Sequence, residues 1–314
     1  MKVNILIRRL LIFINTFAVS ILFCLLISSK LLAETSLFVE AVNAQGAWQK
    51  GVVTARKVVF TDQPGVVSEI DINVPKDGKY QLLAYVHHNW RNRNAFPDIH
   101  IGAIDSKGNS HSGSHMIENI WYLEENDPGR WFFVSLSDNP YWEFPEGRLH
   151  LRFWIEGKYS PWEGRGVFLE NVVSIYAFLL MPILEDNANM YSSLLINPES
   201  CAGMWDRIPY HRNYGTNLTE SGRKNMVFSC SVNIPVSAYY KGWLSLLSAT
   251  VGSLEIRIKN KLINYKSVIK LKDNKEWEFI AFGPAYLSKG DYHISVKNLK
   301  QGRPAVDFLM LLPE

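Results

Sequence analysis

Cysteine is scarce in this sequence, three in 314 residues, and no spacing suits a zinc site, which needs close pairs. The Gly-x-Ser-x-Gly elbow of serine hydrolases is absent. So is any sustained 3.6-residue apolar period after residue 34, which excludes a helical bundle. An excess of one charge is also missing. The chain has 33 Lys+Arg and 30 Asp+Glu, a formal +3, but residues 1–33 hold Lys2, Arg8, Arg9 and Lys30 and no acid. The remainder carries 29 basic and 30 acidic residues, a net of −1. A bulk-charge argument for nucleic-acid binding therefore fails, and no nucleic-acid partner is expected.

The N-terminus itself has a strong pattern. A basic start is followed by an apolar run over residues 10–28, then Lys30-Leu31-Leu32-Ala33-Glu34. This is the order of a secretory signal, with the cut expected after Ala33. The run approaches spanning length, so an uncleaved anchor is the alternative and the one membrane contact expected. Either way the chain is exported: secreted, periplasmic or at the cell surface. Cys24 falls inside the segment. Cys201 and Cys230 remain, as a disulfide suited to an oxidising compartment or as two buried thiols.

Aromatics are abundant. All ten Trp and all fourteen Tyr follow the segment. Their flat faces fill cores, and they also stack on the C–H faces of sugars; most are expected in the core. Short alternating or apolar runs separated by Gly, Pro, Asn and Asp predict strands over 66–74, 80–87, 98–104, 131–136, 149–154 and 171–180. A second set is predicted over 227–234, 242–247, 254–258, 267–271, 277–282, 292–296 and 305–312.

The second set echoes the first. Ile72-Asn73-Val74-Pro75 parallels Val232-Asn233-Ile234-Pro235. Trp131 parallels Trp277, Pro145-Glu146-Gly147 parallels Ser288-Lys289-Gly290, and the halves close on Met181-Pro182 and Leu312-Pro313. The expectation is an all-β chain of two tandem antiparallel β-sandwich (jelly-roll) modules, 34–184 and 195–314, joined by a polar linker over 185–194.

This order of features resembles the β-jelly-roll carbohydrate-binding modules of families 6 and 35 and their galactose-binding-like relatives. The residues that carry it are Val39-Glu40-Ala41-Val42, Gly46-Ala47-Trp48, Val74-Pro75 and Gly78-Lys79-Tyr80, followed by a mid-module Trp strand and a closing apolar strand. The resemblance implies a galactose-binding-like sandwich, a polysaccharide partner and a structural Ca2+ between an early Glu and a last-strand Asp. The matching residues are Asp307 with Glu199 in the second module and Glu40 in the first, whose last strand has no Asp.

Three stretches have the chemistry of a glycan site. His87-His88-Asn89-Trp90-Arg91-Asn92-Arg93-Asn94 sets one Trp among Asn and Arg, so that the ring stacks while Arg91, Asn92, Arg93 and Asn94 bond hydroxyls or a uronate carboxylate. Residues 157–166 repeat this composition with Tyr159, Trp162 and Arg165, and Trp121 offers a third platform. The second module's loops are basic and nearly free of aromatics, leaving it structural or for a protein partner. Its Trp205 is expected to pack rather than bind. His111 and His115, four apart around Gly113, read as a loop rather than a metal pair. Three functions follow in order: a non-catalytic carbohydrate-binding protein, a structural or adhesion protein binding another protein, and a polysaccharide-acting lyase or hydrolase. The last lacks the strand-borne acid/base motifs it would need.

Overall fold

The computed structural model describes residues 37–88, 96–116, 130–137, 141–158, 173–183, 194–198, 201–211, 216–248, 250–300 and 302–313. Residues 1–33, read above as a targeting segment, and the polar stretch 185–193 lie outside them. The described chain is nearly all strand, in four antiparallel sheets.

Sheet A orders Gln49–Val53, Arg56–Thr61, Val173–Pro182, Gly78–His88 and Trp142–Phe144. Phe38–Glu40 and Arg130–Ser135 pair at its sides. Sheet B orders Gln45–Gly46, Ser68–Val74, Gly147–Lys158, Phe96–Ile104 and Ser110–Met116. Sheet C, from the second half, orders Asp206–His211, Thr216–Glu220, Pro304–Pro313, Ala238–Ser248 and Asn274–Leu287, with Leu195–Ile196 added. Sheet D orders Ala202–Gly203, Val227–Ile234, Gly290–Asn298, Gly252–Lys259 and Asn264–Leu271, repeating sheet B strand for strand.

The burial patterns give the layering. Ser68–Val74 alternates, with Ser68, Ile70, Ile72 and Val74 inward and Asp71 and Asn73 outward, as a strand with one wet face should. Val173–Pro182 and Pro304–Pro313 are buried at all ten positions each, which requires cover on both faces. Sheet A meets sheet B on one side, where Phe153 packs on Trp48 and Phe178. On its other side Phe38, Tyr85, Phe133 and Tyr176 meet Trp243, Phe279 and Phe308 of sheet C. The far face of sheet C closes on sheet D through Leu244, Leu246, Leu309, Ile256 and Ile294. The stack is therefore B–A–C–D, and the first core is continuous with Leu247, Trp277, Phe308, Met310 and Leu312 of the second half.

The halves repeat each other in detail. Tyr80 donates to the Lys76 carbonyl and Tyr240 to that of Val236, both at 2.9 Å. Gly46 and Gly203 share φ values of +121° and +149°, and a Cβ on either would meet the neighbouring strand's backbone within 2.7 Å. Each is followed two residues later by an inward Trp, Trp48 on Phe153 and Trp205 on Phe228.

Two sequence expectations change. Residues 110–116, expected as a loop, form the edge strand Ser110–Met116. Gly113 is required there because a Cβ would lie 1.9 Å from the Leu136 carbonyl oxygen, and an edge strand tolerates Ser and His facing water. The hairpin Gln49–Val53 and Arg56–Thr61 was not expected at all. Its turn places Thr54 and Ala55 at φ +47° and +66°, a conformation normally signalled by Asn or Gly.

Candidate functional site

Registers in the first sandwich gather strand ends at one end of the fold. His88 pairs with both Arg130 and Val173 in sheet A, and Phe96 pairs with Lys158 in sheet B. Met116 pairs with Asp98, two residues in from Phe96. The other end is closed by short turns, Val74 to Gly78 and Phe144 to Gly147. The described residues that flank segments 89–95, 117–129 and 159–172 thus share one rim. Those segments carry Trp90, Arg91, Asn92, Arg93, Asn94, Trp121, Tyr159, Trp162 and Arg165, which all lie outside the described residues. A groove of about 360 Å³ lined by Asp77, Lys79, Lys107, Asn109, Glu143 and Phe144 is at the opposite, closed end.

Beneath the rim is a buried ionic centre that sequence reasoning missed. Arg56 is fully buried and Asp307 nearly so, with Nη2 2.6 Å from Oδ2. The Tyr85 hydroxyl donates to the same Oδ2 at 2.5 Å. The guanidinium is 4.3 Å from the Trp277 ring centroid and 4.8 Å from that of Trp131, with Tyr85 and Tyr176 at 5.6 and 5.8 Å. Trp131 Nε1 donates to Thr54 Oγ1 at 2.6 Å, and the Trp277 amide donates to the Ala55 carbonyl at 2.8 Å. These bonds hold the left-handed turn. Tyr176 and Asp307 are both bulge residues, skipped in the register opposite Tyr85–Val86 and Ser245–Leu246. They stand at equivalent places, each six residues before its strand's closing proline. A bulge re-aims a side chain, and both aim into the interface between sheets A and C.

Asp307 is also the residue on which the calcium expectation rests. Its carboxylate is already neutralised by a guanidinium, beside which a divalent cation would be repelled. Glu40 is half-buried on Phe38–Glu40; burial pushes its carboxyl above the ordinary range, with Lys57 opposing and Glu278 adding. Glu199 lies outside the described residues. Among the described residues no group of three or more His, Cys, Asp or Glu could hold a metal ion. Cys201 and Cys230 are disulfide-bonded, Cα–Cα 4.7 Å. His111 and His115 share a face of Ser110–Met116, and His111 Nε2 is 3.4 Å from Asp105 Oδ2.

Many of the aromatics are accounted for by packing. Trp48, Trp131, Trp142, Trp205 and Trp277 are buried, and Trp243 packs at the interface. Among the described tryptophans Trp154 is the exception, half-buried on the outer face of sheet B and stacked on His100 at 5.5 Å.

No protein-family model matches the sequence, and no curated protein matches it. In structure the chain is similar to carbohydrate-binding modules. One is the C-terminal family 6 module of a Zobellia galactanivorans laminarinase: TM-score 0.33, 15% identity, 38% of this chain and 98% of that one. Another is a module of Cellvibrio mixtus lichenase 5A, in complex with cellotriose: TM-score 0.31, 17% identity, 38% and 96%. A Paenibacillus xanthan lyase aligns with 88% of this chain, which spans 26% of that one, at TM-score 0.34 and 11% identity.

Proposed function

We propose that this is an exported, non-catalytic polysaccharide-binding protein that holds its glycan at the open rim of the first sandwich. The observation that carries the reading is the common end shared by His88, Phe96, Met116, Arg130, Lys158 and Val173. Connections rooted at one end of a rigid sandwich are where binding residues concentrate. Trp90, Trp121, Tyr159 and Trp162 supply faces for sugar rings; Asn92 and Asn94 serve hydroxyls. Arg91, Arg93 and Arg165 favour sugars bearing a carboxylate. No metal is part of the reading.

Affinity gels cast with neutral and uronate polysaccharides test it. Retardation by at least one glycan, lost in Trp90→Ala without a change in melting temperature, is the expected result. Unaltered mobility across the panel sinks it. The formation of new reducing ends or unsaturated products would instead make the protein an enzyme. A protein partner for the second half is favoured by one observation: Tyr239 and Tyr286, cross-strand partners on sheet C, stand more than half exposed as an edge-to-face pair.

A further inference from the structure

Sheets B and D occupy equivalent places in the two sandwiches, so their outer faces compare position by position. On sheet B, charge is matched across strands. Arg148 pairs with Asp71 at 2.8 Å, Arg152 with Glu69 at 3.0 Å, His150 with Asp71 at 2.9 Å, and His100 lies 3.4 Å from Glu156. On sheet D the registers put Ser231 and Ser229 where Asp71 and Glu69 stand, Arg257 and Lys259 where Gly102 and Ile104 stand, and Lys266 and Lys270 where Ser112 and Met116 stand. Lys297 takes the place of Trp154. Each of these exchanges removes an acid or adds a cation, and they outnumber the opposite ones, Asp291 for Arg148, Ser295 for Arg152 and Glu255 for His100.

The cations share one face. Leu254, Ile256 and Ile258 point into the core, so Ser253, Glu255, Arg257 and Lys259 point out, and Lys266 and Lys270 stand on the same face of the adjoining strand. Arg257, Lys259, Lys266 and Lys270 are exposed. Two acids stand on this face: Glu255 takes Arg257 on one oxygen and Lys266, at 2.7 Å, on the other, and Asp291, on the strand of Lys297, accepts from Asn233 at 2.7 Å. Lys259, Lys270 and Lys297 have no carboxylate partner among the described residues. The whole half follows suit: residues 195–314 hold sixteen Lys+Arg and ten Asp+Glu, whereas 34–194 hold thirteen and twenty. The near-zero net charge of the exported chain conceals two opposite charges.

We propose that the outer face of sheet D is a second binding surface, taking a linear acidic polysaccharide along Lys270, Lys266, Arg257, Lys259 and Lys297. Charge complementarity sets the sign of the partner. Neighbouring hydroxyls and amides, Ser229, Ser231, Asn233, Ser253 and Asn264, suit a hydroxyl-rich chain. A membrane surface would instead want a band of apolar and aromatic anchors among the lysines, whereas among the described residues alternation puts only the scattered valines Val227 and Val268 on these outward strand positions. The surface is separate from the rim site and shares with it only the class of partner.

The test is gel retardation of the full chain by polygalacturonate at low salt and at about 0.5 M NaCl, where screening reaches within a few ångströms. Wild type is expected to be retarded at low salt and released at high salt. Lys259→Glu/Lys266→Glu/Lys270→Glu should bind about tenfold more weakly, with unchanged melting and unchanged binding to any neutral glycan. Lys259→Gln/Lys270→Gln, which keeps the Lys266–Glu255 pair, should fall between. Salt-sensitive binding that survives the triple reversal but disappears in Trp90→Ala would assign the polyanion to the rim and overturn the proposal. So would equal or tighter capture by phosphatidylserine vesicles or duplex DNA than by the polysaccharide. Failure of the rim reading appears separately, as Trp90→Ala binding neutral glycans like wild type.

Discussion

Arg56 is buried among four rings, and a guanidinium survives there only because Asp307 and its bond to Tyr85 complete the charge. Removing one partner strands the other. Arg56→Ala or Asp307→Ala should each cost about 3–5 kcal/mol, read by denaturant unfolding. Arg56→Met/Asp307→Leu should recover most of that loss, because both charges leave together. Additive losses would show that the pair is not the unit described. Asp105 gives a second residue-scale prediction. Burial would raise its carboxyl, but bonds from Asn109, the Lys107 amide and His111 prevail and hold it down to about 2. A lowered folded pKa adds stability above the ordinary value of about 4, which is lost as pH falls toward 2. The 104–110 hairpin should therefore loosen between pH about 4 and 2 by amide exchange, and Asp105→Asn should remove that dependence. Neither residue announced itself in the sequence. Arg56 looks like any surface Arg beside Lys57, and its partner lies 251 positions away. Asp307 was singled out only through the resemblance, as a last-strand acid, and its Arg56 partner was not legible.

At the scale of elements, strands with a regular apolar pattern were readable and irregular ones were not. Residues 227–234 alternate cleanly and form the strand as expected. The Arg56 hairpin was hidden by a Thr-Ala turn whose left-handed backbone depends on Trp131 and Trp277, contacts absent from local sequence. The disulfide replaces a different local solution. Ala44 and Ile70, buried in the first half, stand where Cys201 and Cys230 stand in the second, to judge from the shared Gly-x-Trp and strand register. Closing a loop of 29 residues constrains the unfolded chain by roughly 3–4 kcal/mol. Reduction, or Cys201→Ala/Cys230→Ile, should lower stability by up to that amount. Loss of the far-ultraviolet strand signal at room temperature would mean that the bond is needed for folding itself.

For the whole molecule, the duplication was legible but the docking was not. Two tandem modules joined by a polar linker left their contact unspecified; the described chain stacks four sheets, with the two fully buried strands back to back in the middle layers. Much of the aromatic wealth that pointed toward sugar is spent on that interface, which concentrates the binding hypothesis on the rim residues. Charge was hidden by averaging in the same way, since opposite signs in the halves cancel. The central claim is glycan recognition at the rim, and calorimetric titration of wild type and Trp90→Ala/Trp162→Ala with whichever polysaccharide retards the protein tests it most directly. The expected affinity is at least about tenfold weaker in the variant, in line with the loss of two stacking faces, with an unchanged melting temperature. Equal affinity in the two proteins would contradict it.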